Sequence, residues 1–189
     1  MDTKEALVDY LAGQRRVLLQ KLDGLSERDL RMPRTPTGTN LIGIVKHCAN
    51  VEYGYFGPTF GREIEDPSGL VSDEVWEADP QADWYATEDE TSADVVALYR
   101  RVQAFCDETI TALSLDAPGR VPWWGAGGDV TLGHVLIHVI QDLARHAGHA
   151  DILREGIDGS VGFMSTGDNL PEIDYPAYVA RLTALAERS

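Results

Sequence analysis

Four long segments of the chain carry apolar residues at the three- and four-residue spacing of an amphipathic helix. These segments span residues 4–22, 41–56, 92–113 and 132–154. Such a period is typical of a helix that buries one face, and the chain shows little of the two-residue alternation of strands. The pattern predicts an all-α fold, a four-helix bundle with a long crossover loop between the second and third helices.

Polar residues suited to cap a helix N-terminus precede the predicted helices. They are Ser26 for a short turn of helix, Asn40 or Thr39 for the second long helix, Ser92 for the third, and Asp129 or Thr131 for the fourth. Gly156 is predicted to end the fourth helix, because glycine is a common helix stop. A further short helix is predicted over residues 175–187.

The length suggests one domain, 1–189, with an acidic excursion over residues 62–90 and a C-terminal tail over residues 160–189. Between Glu63 and Asp94 the chain has twelve acidic residues and no Lys or Arg. The segment lacks the spacing of a calcium-binding EF-hand loop. We interpret it as a long, partly ordered loop that is packed down by its tryptophans, since long loops often serve as lids.

The formal net charge of −15 argues against a nucleic-acid partner and against an anionic membrane surface, because both need a basic patch. No apolar run approaches the ~18 residues that cross a bilayer, and the first residues lack the basic-then-apolar pattern of a secretory signal. We therefore expect a cytoplasmic protein. Cys48 and Cys106 are too few for a disulfide framework and are expected to be buried as small hydrophobes.

Four of the five histidines fall in the fourth predicted helix. Residues four apart lie about 40° apart around a helix axis. Four residues with this spacing form a row, called the ladder below, that rotates gradually around the helix: His134, His138, Asp142 and His146. His149, seven residues after Asp142, returns to within roughly 20° of it. Asp142, His146 and His149 therefore present nitrogen and oxygen donors on one helical face, at the edge of the apolar core.

Burying several unpaired polar groups costs about 1–3 kcal/mol each, and one metal ion can satisfy them together. Two ligands from one helix and a third from a facing helix leave open positions, as in a catalytic metal site. His47, in the middle of the second helix, is the candidate third ligand.

We interpret His134 as a hydrogen-bonded residue at the core edge, whereas His138 could also support the ligands. Glu52 lies about 140° around the helix from His47, so it is predicted to pair with an N–H group or an arginine.

Residues that flank this group allow two interpretations. Arg145 and Arg154 are either surface ion-pair residues or binders of an anionic substrate. Trp123 and Trp124 either wall a substrate pocket or anchor their glycine-rich loop. Arg145 and Trp124 are the candidate substrate-binding residues, and no catalytic residue is assigned.

Two segments resemble the DinB-like superfamily, and more narrowly an actinobacterial branch that is related to mycothiol-dependent enzymes. They are residues 47–56, which begin His-Cys-Ala-Asn, and residues 146–159, which begin His-Ala-Gly-His. The resemblance runs from the first predicted helix to about Gly159. It implies a four-helix bundle that holds one divalent metal ion, usually zinc or nickel, and that often forms a homodimer.

In this superfamily the metal ligands are a histidine in the middle of helix two and an x-x-x-His pair in the fourth helix. The resemblance therefore implies His47, position 142 and His146 as ligands. The middle ligand is histidine or glutamate in relatives, whereas this chain has the shorter Asp142, so His149 could take its place. Relatives with a known activity are thiol-dependent transferases and isomerases that use mycothiol or bacillithiol.

Three hypotheses for the function remain open at this point. The first is a metal-dependent thiol S-transferase or isomerase, in which a small-molecule thiol such as mycothiol attacks a small electrophile as the thiolate. A variant of this hypothesis is hydrolysis by metal-bound water. The second is a non-catalytic metal or small-molecule binding protein, and the third is a metal-free helical interaction protein. A set of histidines and a carboxylate accepts zinc, nickel, iron or manganese, so the sequence leaves the metal and the substrate open.

Overall fold

Four long helices supply most of the buried apolar side chains in the structure, a computed structural model that describes residues 1–163, 165 and 167–188. They are α1 (Thr3–Gln20), α3 (Leu41–Phe56), α5 (Ser92–Ala112) and α6 (Leu132–Asp158). The shorter helices are α2 (Glu27–Arg31), α4 (Asp73–Ala78) and α7 (Tyr175–Ala186), with 3-10 turns at Pro58–Phe60 and Pro122–Gly127. The all-α class predicted from the sequence is confirmed.

One hydrophobic core joins the four long helices, and α3 lies at its centre. This helix packs against α5 and α6, and α6 in turn packs against α1. Of the 16 residues of α3, 12 are buried. A helix with apolar residues around most of its circumference is stable only when neighbours cover it, which explains the central position. The contact between α3 and α6 brings the two predicted halves of the metal site together.

Three of the four helix N-caps predicted from the sequence are confirmed. The side chains of Ser26, Asn40 and Thr131 each accept a hydrogen bond from the backbone N–H three residues further on. The prediction of Ser92 as a cap is wrong, because Thr91 and Asp94 form a capping box one residue earlier.

The predicted end of α6 at Gly156 is also wrong. The helix continues to Asp158, and Gly159 ends it in the left-handed conformation, with a φ of 74°. Gly156 is exposed, and an isolated glycine costs a helix only about 1 kcal/mol, so this residue is tolerated inside the last turns.

A short antiparallel hairpin leads into α6. It consists of β1 (Pro118–Arg120) and β2 (Asp129–Thr131), with Gly119 paired to Val130. The sequence does not predict these strands, because three residues are too few to show an alternating pattern. Since the last residue of β2 is the N-cap of α6, the hairpin fixes where α6 begins.

The predicted C-terminal tail, 160–189, contains α7, which begins at the predicted residue and has no buried side chain. Three residues of this tail, Met164, Thr166 and Ser189, lie outside the described residues. In the described part of the chain, none of the helices has the length and apolar character needed to span a membrane. Cys48 and Cys106 are both buried and unpaired, as expected, and burial raises the pKa of each thiol.

Candidate metal centre

Three side chains from two helices bring metal-ligating atoms together where α3 meets α6. His47 comes from α3, and Asp142 and His146 come from consecutive turns of α6. One ligand atom from each residue lies within 4.8 Å of the other two. The ring centroids of His47 and His146 are 4.9 Å apart. Within the described ranges, no other group of three or more His, Cys, Asp or Glu side chains meets this criterion.

Asp142 and His146 have the spacing of two ligands on one metal ion, whereas separations in the group of up to 4.8 Å would have to shorten slightly when an ion binds. Bonds from zinc to a histidine nitrogen or a carboxylate oxygen are about 2.0–2.2 Å long, so two ligand atoms on one ion are at most about 4.4 Å apart. Nε2 of His146 lies 3.7 Å from Oδ1 of Asp142, which is within this limit. Three protein ligands leave at least one coordination position for another molecule, as in catalytic zinc sites.

His47 is oriented by two residues of the acidic excursion. Its Nδ1 lies 2.7 Å from Oδ2 of the buried Asp83, and the indole of Trp84 stacks on its ring with a centroid distance of 3.9 Å. A carboxylate only accepts a hydrogen bond, so Nδ1 carries the proton of this contact, and in the neutral ring Nε2 is the nitrogen that can bind a metal.

Sequence reasoning missed the role of Asp83. This residue lies 36 positions from His47, in a segment that has no helical period to indicate which side chains point inward. The one signal in the sequence is the neighbouring Trp84, an aromatic residue among acidic ones. The prediction that tryptophans pack the excursion down holds for Trp84, which contacts the hydrophobic core.

His146 is buried and neutral at pH 7. Burial lowers its pKa to about 4, although the charge of Asp142 acts in the opposite direction. Nδ1 of His146 and Oδ2 of Asp142 are buried, and neither has a hydrogen-bond partner among the residues that the structure describes. An unsatisfied buried group costs roughly 1–3 kcal/mol. A cation bound by the carboxylate of Asp142 would offset this cost for Oδ2, whereas a cation bound by Nε2 of His146 would leave its Nδ1 unpartnered. Two imidazoles and a carboxylate are donor types that divalent metal ions accept. The donor set therefore fits a divalent metal ion.

The other three histidines of α6 lie outside the group formed by His47, Asp142 and His146. His149 is exposed, with its ring centroid 5.5 Å from that of His146. His134 and His138 lie nearer the start of α6, where the indole of Trp124 contacts their rings at centroid distances of 5.6 and 4.9 Å. Only the ladder positions Asp142 and His146 therefore meet His47.

The two candidate substrate-binding residues are placed differently. Arg145 is exposed and directly precedes His146. Trp124 is half-buried and packs against Tyr55 and His138, as well as against the core. Trp124 thus anchors its loop and is partly exposed. The substrate-binding roles of Arg145 and Trp124 stay predictions.

Arg154 is an ion-pair residue rather than a substrate binder. Its guanidinium donates to the carboxylate of Asp158 and to the backbone carbonyls of Lys21 and Asp23. These contacts join the C-terminal ends of α1 and α6. All three guanidinium nitrogens donate to these partners, which supports the ion-pair interpretation of Arg154.

Replacing Asp142 is expected to weaken metal binding far more than replacing His149. Asp142→Ala removes an oxygen donor beside His146, whereas His149→Ala removes an exposed ring outside the donor group. We expect the zinc affinity, measured by competition with a chromophoric chelator, to fall by at least about 100-fold in Asp142→Ala and to stay unchanged in His149→Ala. The opposite order of the two effects would show that His149 completes the ligand set.

The fold and this donor group define a helical protein with a candidate mononuclear metal centre. The family model described as Mycothiol-S-transferase matches residues 6–159. Since this is most of the chain, the protein belongs to the mycothiol S-transferase family, and the DinB-like resemblance is confirmed. The matched region includes all three donors and leaves α7 outside. A search of the curated proteins finds no match.

Proposed function

We propose that this protein is a metal-dependent S-transferase or isomerase that uses a small-molecule thiol of the mycothiol type and acts on small electrophiles. The observation that carries the proposal is the group of His47, Asp142 and His146 inside the region that matches the family. The metal is proposed to be zinc or nickel, because the resemblance to the DinB-like superfamily implies these ions and two imidazoles and a carboxylate accept both. A cytoplasmic location belongs to the proposal on the strength of the sequence pattern, and a homodimer on the strength of the resemblance.

The proposed ligands are Nε2 of His47, a ring nitrogen of His146 and a carboxylate oxygen of Asp142. When bound, a divalent metal lowers the pKa of a coordinated thiol, so that the sulfur is present as thiolate at neutral pH. Histidine binds a metal only through an unprotonated nitrogen. Burial keeps His146 in this state at pH 7, since it lowers the pKa of the ring to about 4.

The proposed transfer forms one carbon–sulfur bond. The thiol proton is released to water, the sulfur lone pair attacks an electrophilic carbon, and the leaving group departs with the electrons of the bond that breaks. Trp84 covers one face of His47 and keeps water from that side of the site. Arg145 is proposed to bind an anionic group of a substrate, and Trp124 to wall the entrance.

The proposal is tested by following S-conjugation of mycothiol to a bimane halide or to chlorodinitrobenzene by mass spectrometry. Zinc- or nickel-loaded wild type is expected to form the conjugate faster than metal-free protein and faster than His146→Ala. Glutathione and cysteine serve as comparison thiols, and both are expected to react more slowly, because the family match points to mycothiol.

The alternative is a non-catalytic metal or small-molecule binding protein of the same fold. It is favoured if metal-loaded protein binds mycothiol in a calorimetric titration but forms no conjugate with any of the electrophiles. A metal-loaded protein that neither binds these thiols nor accelerates their reactions would contradict the S-transferase proposal.

A further inference from the structure

We infer that the segment 79–90 of the acidic excursion is a fixed part of the metal centre, in which Asp83 positions His47 and Gly43 permits the approach. The inference rests on the metal-binding part of the proposed function and is independent of the S-transfer reaction. It replaces the interpretation of this stretch as a partly ordered loop.

The burial of Asp83 is the first observation. Of the acidic side chains that the structure describes, only those of Glu52 and Asp83 are buried. A buried carboxylate is costly unless it is paired and hydrogen-bonded. The partner of Asp83 is Nδ1 of His47, at 2.7 Å. One acidic residue of an otherwise solvated run is therefore buried against a candidate metal ligand.

Gly43 provides the second observation. A Cβ atom at this position would lie 1.8 Å from the backbone oxygen of Trp84, a distance at which the backbone must move. The same oxygen accepts a hydrogen bond from Nδ2 of Asn40, at 3.0 Å. Residues 40, 43 and 47 lie one to two turns apart on one face of α3. The segment can therefore reach His47 only because residue 43 has no side chain.

Hydrogen bonds from cationic side chains of the helical core hold the rest of the segment in place. Nζ of Lys46 lies 3.2 Å from the backbone oxygen of Tyr85 and 2.8 Å from a carboxylate oxygen of Glu90. The guanidinium of Arg31 donates to the backbone oxygens of three residues, Ala86, Thr87 and Glu90. Backbone carbonyls that follow Asp83 in the chain are thus anchored to α2 and α3, which is unlike a lid that opens.

The consequence for the site concerns the orientation of a ligand. A carboxylate on one ring nitrogen of histidine fixes the tautomer and the ring plane, and so presents the other nitrogen to the metal. Loss of such a partner typically lowers metal affinity by about 10–100-fold. Asp83 is therefore a positioning residue, which acts on the metal through His47 and does not touch it.

The test compares Asp83→Asn and Gly43→Ala with wild type and with Gly13→Ala, a control in α1 where an added Cβ meets nothing within 4 Å. Zinc affinity is measured by chelator competition, and the His47 tautomer is measured by nitrogen-15 NMR on metal-free protein. We expect zinc affinity to fall by about 10–100-fold in both variants, with loss of the single Nδ1–H tautomer, and no change in Gly13→Ala.

Unchanged zinc affinity in folded Asp83→Asn would overturn the inference, and so would a wild-type His47 that carries its proton on Nε2. If Gly43→Ala fails to fold, Asp83→Asn decides alone. Wild-type protein that binds no zinc or nickel would contradict the metal-binding proposal, while the NMR measurement would still show whether Asp83 orients His47. Normal zinc affinity with no S-conjugation would leave this inference standing and remove only the transferase.

Discussion

Wild-type protein purified without a metal-binding tag and loaded with zinc or nickel is expected to keep one metal ion per chain, and His47→Ala and His146→Ala are expected to lose it. Each substitution removes one of three protein ligands, and the two residues lie on different helices. Losing a ligand should weaken binding by more than the roughly 10–100-fold that follows from losing a residue that only orients one. Elemental analysis after gel filtration measures the metal content directly.

The control for this experiment is His134→Ala. His134 is also a histidine of α6, but its side chain is exposed and lies outside the donor group. It should keep the metal content of wild type. Metal retained in both His47→Ala and His146→Ala would place the ion elsewhere, and no metal in reconstituted wild type would leave only a metal-free helical binding protein.

The half of the site that lies on α6 could be predicted from the sequence, because the spacing of Asp142 and His146 places both on one side of a helix. Periodicity could not say which of His146 and His149 faces α3, since both lie close to Asp142 around the axis. In the structure, α6 packs against α3 so that His146, and not His149, lies beside His47. His47 is the predicted third ligand because it lies in the middle of a facing helix, and the family resemblance supports this choice. Spacing on one helix contains no information about a residue on another.

The contribution of the acidic excursion could not be predicted, because it depends on contacts between residues far apart in the chain. Asp83 reaches His47 through the close approach at Gly43 and the hydrogen bonds from Arg31 and Lys46. None of these contacts produces a periodic pattern in the sequence. A run of acidic residues is usually a solvated surface. The contact between Gly43, in the first turn of α3, and Trp84, in the loop, can be seen only in the structure.

The pairing of Glu52 was predicted from its angle around α3, and the structure confirms it. Glu52 is fully buried and accepts hydrogen bonds from Nε of Arg15, at 2.8 Å, and from the hydroxyl of Tyr99, also at 2.8 Å. Burial by itself would lower the pKa of Arg15, but Glu52 and Asp107 raise it, so the guanidinium remains charged inside the protein. The network joins α1, α3 and α5.

Glu52→Gln is expected to destabilise the protein by about 3 kcal/mol or more, because it leaves the buried charge of Arg15 without its main partner. The measurement is the free energy of unfolding in urea. Asp129→Asn is the matched control, since it makes the same change in an arginine pair whose side chains are 57% and 82% exposed. An exposed pair of this kind contributes at most about 1 kcal/mol.

The double variant Arg15→Met with Glu52→Gln separates the charge from the packing. If the loss in Glu52→Gln comes from an unpaired guanidinium, removing that guanidinium should restore part of the stability. A loss in Glu52→Gln no larger than that in Asp129→Asn would show that Asp107 alone is enough to pair the charge of Arg15.

Because Glu52 points away from His47 around α3, folded Glu52→Gln protein should still bind one metal ion. A stability defect with normal metal content is therefore the signature that distinguishes this network from Asp83, whose loss should weaken metal binding.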